Sequence, residues 1–137
     1  YNSLLFIRDN FNKFQTPYTP NTLSIYLLGE VLKQVDAISD ISDRIHQRAG
    51  AWYDFLLKNG YDLLVENESV RSKTVVAVQG TPSKIAEIKA IAKEAGIVLG
   101  NGYGDWKDNC FRLANFPAIA DAEIHLLKQF LEQVDSN

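Results

Sequence analysis

The sequence predicts an α+β fold, a small sheet with helices packed on it. Three observations predict it. Four segments repeat apolar residues every three or four positions, the spacing of an amphipathic helix. Between them lie short runs of β-branched and aromatic residues, strand-length rather than helix-length. Their order is two helices, a pair of strands, a helix, two strands and a helix. The chain has 137 residues, 46% hydrophobic and 23% charged, enough apolar material for one core.

Asn10 to Pro20 is polar and turn-rich, with Pro17 and Pro20, and reads as an extended lead-in rather than a core element. The first helix is expected near Pro20, with Thr19 or Thr22 as its cap and proline at the first helical position. Leu23, Tyr26, Leu27, Val31 and Val35 recur at helical spacing, and Ile25, Leu28 and Leu32 widen the apolar arc. A helix that apolar is expected to be mostly buried. The second helix follows from Ile38, Ile41, Ile45, Ala49, Trp52 and Leu56, and stops at Lys58-Asn59-Gly60. A strand is expected at Tyr61 to Glu66, a polar turn at Asn67 to Ser72, and a stronger strand at Thr74 to Gln79. Thr81-Pro82 opens a third helix, with Ile85, Ile88, Ile91 and Ala95 on one face and Gly96 at its end. Ile97-Val98-Leu99 reads as a short strand. A glycine-rich loop (Gly100, Gly102, Gly104) leads to the strand Cys110 to Phe116, which Pro117 breaks. Asp121 then caps a last helix whose face carries Ile124, Leu127, Leu131 and Val134.

Composition excludes several classes of function. No stretch approaches the roughly 20 apolar residues of a membrane-spanning helix. A net charge of -3 and a pI near 5.3 give no basic footprint for nucleic acid. One cysteine excludes a disulfide framework and a cysteine-based metal site, and points to a reducing, cytoplasmic setting. The start lacks the pattern of a secretory signal, and a chain without any methionine suggests a fragment of something longer.

Few residues could carry chemistry. His46 and His125 sit on expected helices without a second ligand at i+4, so no metal site is expected and both should face solvent. Cys110 lies between apolar residues with no base beside it and reads as a buried structural thiol. Gly100-Asn101-Gly102-Tyr103-Gly104 lacks dinucleotide spacing and leads into a strand, so a tight β-connection is the better reading. Arg112 is different. It shares a strand face with Cys110, Ala114 and Phe116, while Phe111 and Leu113 occupy the other, so the strand looks interior. A guanidinium there must be paired. It either bridges to an acid elsewhere in the fold or forms a fork held open for a ligand carboxylate. Thr19 is the second candidate: its hydroxyl either caps the first helix or helps make a phosphate site at the helix N-terminus.

Thr16-Pro17-Tyr18-Thr19-Pro20-Asn21-Thr22-Leu23-Ser24-Ile25-Tyr26-Leu27-Leu28-Gly29 resembles the segment leading into the C-terminal domain of the class V aminotransferases, most of all in their phosphoserine branch. Gly102-Tyr103-Gly104 through Phe111-Arg112-Leu113-Ala114-Asn115-Phe116-Pro117-Ala118 resembles that domain's late strand. The two motifs stand in the family's order and span nearly the whole chain. The resemblance implies an aminotransferase C-terminal-domain-like fold. Residues 1–20 would be a lead-in from a missing large domain, and 21–137 the small α/β domain. It implies a homodimer that uses pyridoxal 5′-phosphate to transfer an amino group between an amino acid and a 2-oxo acid. The threonine matching Thr19 reaches the phosphate of the neighbouring subunit's cofactor, and the residue matching Tyr18 shares that task, although the phosphoserine branch commonly has Asn there. The arginine matching Arg112 grips the substrate α-carboxylate.

The phosphoserine branch also recruits basic residues just before that strand for the substrate phosphate. Here the stretch reads Asp105-Trp106-Lys107-Asp108-Asn109, with only Lys107 among two acids. None of the nine lysines stands in the family's Schiff-base motif, so no catalytic residue is expected in this chain and the chain alone should be inactive. Two alternatives stand beside the phosphoserine reading: an alanine- or serine–glyoxylate aminotransferase, and a non-catalytic α+β module that binds a small carboxylate through Arg112. A domain that only dimerises would leave Arg112 satisfied internally.

Overall fold

The computed structural model describes residues 3–135, and backbone proximity divides the chain into two units, Tyr1–Asp36 and Ala37–Asn137. Residues 1, 2, 136 and 137, at the two ends of the expected segments, lie outside the described residues.

The first unit holds two helices, α1 (Leu4–Phe11) and α2 (Thr22–Gln34). Ser3 starts α1 by accepting the Phe6 amide on its hydroxyl. Asn10 and Phe11 therefore belong to a helix, where an extended lead-in was expected; irregular chain follows to Asn21. The cap of α2 is also corrected. Asn21 Oδ1 accepts the Ser24 amide at 3.0 Å, while Thr22 is the first helical residue and Thr19 lies outside the helix. Asparagine outranks threonine at this position because its short amide oxygen reaches the amide three residues on. A third correction concerns burial: α2 has no buried residue, and Leu23, Tyr26, Leu27 and Val31 are all more than half exposed. An apolar arc shows which face excludes water when covered, not that the cover lies in the same chain.

The second unit carries the core. α3 (Ile38–Lys58) ends as expected, with Gly60 in the left-handed region at φ 72°. The sheet follows: β1 (Asp62–Leu63), β2 (Val75–Gln79), β3 (Gly100–Asn101) and β4 (Cys110–Ala114), ordered β1-β2-β4-β3 and antiparallel throughout. α4 (Pro82–Glu94) begins on the Thr81 cap, and α5 (Asp121–Asp135) follows Pro117. The expected strands are shorter than their apolar runs. Ile97 to Leu99 is not paired, and the pairing falls on Gly100 and Asn101 instead.

One sheet face is covered. Leu63, Val76, Val78, Phe111 and Leu113 meet Trp52 and Leu56 of α3, Ile85, Ile88 and Ala92 of α4, and Phe130 and Leu131 of α5. Three polar ties hold this layer. The Tyr61 hydroxyl donates to the Leu131 carbonyl at 2.8 Å. Arg48 Nε donates to Asp121 Oδ1 at 2.9 Å, joining α3 to the first turn of α5. Asn115, fully buried, donates from Nδ2 to the carbonyls of Ile45 and Lys73.

Candidate functional site

β4 is central by pairing, with β2 on one side and β3 on the other. Its alternation sends Phe111 and Leu113 into the core and leaves Arg112 and Ala114 on the opposite face. That face is interior only at Cys110, contrary to expectation: Ala114 and Phe116 are exposed and Arg112 is half-buried. The cost of stranding a charge in a core therefore does not arise.

Arg112 has no acidic partner among the described residues. Its Nε donates to the Asn101 carbonyl at 2.6 Å, and its guanidinium carbon lies 4.2 Å from the centroid of the Tyr103 ring. The register makes this possible. Gly100 pairs with Arg112 across the β3–β4 ladder, and a Cβ there would stand 3.2 Å from the Arg112 carbonyl oxygen and 3.8 Å from Nε. The two terminal nitrogens make no hydrogen bond with any described residue. Arg112, Leu113 and Ala114 border a cleft of about 330 Å³ whose other walls are Ile97 to Leu99 and the first turns of α5, Glu123 included. The cleft wall is largely apolar, with Arg112 and Glu123 as its charged residues.

Thr19 and Tyr18 belong to the first unit. Thr19 is exposed and, since Asn21 is the cap, its hydroxyl is not used by the helix. The amides of Thr22 and Leu23 in the first turn have no intrahelical acceptor. A hydroxyl and helix N-terminal amides are donors of the kind a phosphate takes, so the donor types present fit a phosphorylated cofactor. The Tyr18 ring is tilted against Phe6, centroids 6.3 Å apart. Lys107 is exposed and borders a separate cleft of about 450 Å³ with Pro82, Lys89, Asn101 and Asp108.

The remaining candidates behave as their types suggest. His46 and His125 are exposed, His46 held through Nδ1 to the Ser42 carbonyl at 2.7 Å. Cys110 is buried, and burial pushes its thiol pKa up against the pull of Lys89 and Arg112. Tyr103 and Asn115 were not singled out by sequence reasoning. Tyr103 carried no local signal for its contact with Arg112. Asn115 did carry one: it is the only amide among the apolar positions that continue β4.

No family model and no curated relative matches the chain. Solved structures do. A phosphoserine aminotransferase from Cytophaga hutchinsonii matches with a TM-score of 0.79 and 29% identity, over 97% of this chain and 37% of that enzyme. A phosphoserine aminotransferase from Bacillus circulans subsp. alkalophilus matches with a TM-score of 0.72 and 21% identity, over 88% of this chain and 34% of that one. An alanine–glyoxylate aminotransferase from Nostoc sp. matches with a TM-score of 0.70 and 20% identity, over 80% of this chain and 30% of its own. The chain thus spans about a third of the length of each of these enzymes.

Proposed function

We infer that this chain, which has the fold of the C-terminal domain of the class V aminotransferases, serves as the small domain of a pyridoxal 5′-phosphate-dependent transaminase. The substrate pair we propose is glutamate and 3-phosphohydroxypyruvate, the phosphoserine transaminase reaction of serine biosynthesis, carried out by a cytoplasmic homodimer. One observation carries the reading: an arginine that the sheet holds at its open face without an acidic partner among the described residues. A salt bridge inside the domain would have spent that fork.

The division of labour follows from the donors present. Arg112 takes the substrate α-carboxylate through two parallel, charge-assisted hydrogen bonds and so fixes the direction in which Cα–H points. Thr19 donates its hydroxyl to the cofactor phosphate of the neighbouring subunit, with Tyr18 beside it. Bound pyridoxal phosphate supplies the electron sink for charge at Cα. The base and Schiff-base lysine come from the large domain, so residues 21–137 and their lead-in are inactive alone.

A second reading has one observation in its favour. The cleft beside Arg112 is apolar, and Lys107 stands between Asp105 and Asp108, which is poor company for a substrate phosphate. That favours a small acceptor without a phosphate, such as glyoxylate.

The test is the complete protein, purified with cofactor absorbance confirmed, assayed with glutamate plus 3-phosphohydroxypyruvate against alanine plus glyoxylate. Turnover with the first pair is expected. Turnover only with the second rejects the phosphoserine reading and leaves the transaminase; turnover with neither rejects these pairs. Arg112→Lys is expected to lose about 2–4 kcal/mol of transition-state binding, because an ammonium is a point donor where a planar fork is needed. Near-normal kcat/KM in that variant removes Arg112 from the site.

A further inference from the structure

We propose that Tyr103 is a positioning residue for Arg112: its ring, together with the Asn101 carbonyl, holds the guanidinium so that only the two terminal nitrogens meet an incoming carboxylate. The inference rests on the reading of Arg112 as the substrate fork, and it adds the geometry of that fork.

A guanidinium offers a carboxylate two bidentate edges, one through the terminal pair and one through Nε and a terminal nitrogen. Here Nε is engaged by the Asn101 carbonyl at 2.6 Å, so the side edge is closed and the end edge remains. The Tyr103 ring at 4.2 Å then fixes the plane in which that end edge lies, since a cation stacks on the negative face of an aromatic ring. Without it, the long side chain could rotate about several bonds, and freezing those rotors would fall on substrate binding.

Three features of the β3–β4 connection are arranged around this stack. Gly100 carries no side chain where one would press on Arg112. Gly102 is buried so tightly that a Cβ would stand 2.0 Å from the Trp106 carbonyl oxygen. Immediately after it, the Trp106 amide donates to the Tyr103 carbonyl at 3.1 Å and closes a single 3-10 turn (Gly104–Trp106). The backbone on both sides of Tyr103 is therefore pinned. The ring itself is 72% exposed and belongs to no core cluster, so packing does not account for an aromatic side chain there.

The experiment uses the complete holoenzyme and whichever donor–acceptor pair supports turnover, comparing Tyr103→Ala, Tyr103→Phe and Arg112→Lys with melting temperature as a control. Tyr103→Ala is expected to raise KM for the carboxylate substrate about three- to tenfold, with kcat changed by about twofold or less. Its melting temperature should stay at the wild-type value. Tyr103→Phe keeps the ring and should restore KM. In side-chain 15N spectra, the Arg112 Nε–H should exchange slowly with water and lie under the ring current in wild type and Tyr103→Phe, and lose both signs in Tyr103→Ala. Wild-type KM in Tyr103→Ala, beside a large loss in Arg112→Lys, overturns the role of Tyr103 and leaves the fork standing. Equal losses in the Ala and Phe variants overturn the stacking argument. No loss in any of the three overturns the fork itself.

Discussion

Cys110 and Arg112 stand two positions apart on one strand and point the same way, yet their surroundings differ. Cys110 is 1% exposed and donates its Sγ–H to the Phe111 carbonyl at 3.4 Å; Arg112 is half-buried at an open face. Burial raises the thiol pKa above its ordinary value of 9.0, with Lys89 and Arg112 offsetting part of the shift. The folded state therefore holds the proton more tightly than the unfolded chain. The stability contributed is complete below the ordinary pKa and is lost as pH rises through it toward the folded value. Between about pH 8 and pH 10 the unfolding free energy should fall more steeply in wild type than in Cys110→Ala, as denaturant titrations at several pH values would measure. Native protein should also resist iodoacetamide until it unfolds. Parallel pH profiles in the two proteins would show that the thiol is no more basic than in the open chain. The buried thiol and the exposed histidines could be read from residue type and spacing alone. The contact between Tyr103 and Arg112 could not, because it depends on how a loop returns over its own strand.

At the scale of elements, the β3–β4 connection makes the sharpest demand on sequence. Gly102→Ala would place a methyl group against the Trp106 carbonyl, which is backbone and can move only with the whole turn. The expected cost is about 1–3 kcal/mol, the range for forcing a group into filled space, read from the denaturant midpoint. Gly104, at φ 54° with open space around it, should lose stability for a different reason, backbone strain. If Gly102→Ala is neutral, the turn is looser than described. Helix ends were legible where the signal was local: Lys58-Asn59-Gly60 stops α3 and Thr81-Pro82 starts α4. Strand extents were less so. Tyr61 to Glu66 reads as one strand, yet only Asp62 and Leu63 stand in register with β2, and the Leu64 amide adds one bond to the Ala77 carbonyl, because pairing needs a partner at the right register. Asn115 shows the same limit from the other side. Its amide nitrogen satisfies two carbonyls from α3 and the loop before β2, partners 70 and 42 positions away.

At the scale of the molecule, the two units differ in what holds them together. Ala37–Asn137 encloses a continuous apolar core, from Ala49 and Trp52 of α3 to Leu131 of α5. In Tyr1–Asp36, neither α1 nor α2 buries a residue, and Leu4, Phe11, Leu23, Leu27 and Val31 all face outward. An exposed apolar band of that extent marks a surface made for cover. In the transaminase reading, the cover is the large domain and the second subunit. This was the least legible feature of the sequence, because periodicity reports a face and not its occupant. The difference has a measurable consequence. Residues 37–137 expressed alone should unfold in one cooperative transition, since about a hundred residues with a closed core suffice for independent folding. A peptide of residues 1–36 should show only partial helicity by circular dichroism and no cooperative melt, because helices of this length are marginal without packing. Leu27→Glu in the 137-residue chain should shift the unfolding free energy by about 0.5 kcal/mol or less, as for other substitutions at exposed sites. On the transaminase reading, the same substitution in the full-length protein should weaken assembly, seen as a lower apparent mass in sedimentation. A large destabilisation of the 137-residue chain by Leu27→Glu would mean that α2 is packed within it, and the outward face would then need another explanation.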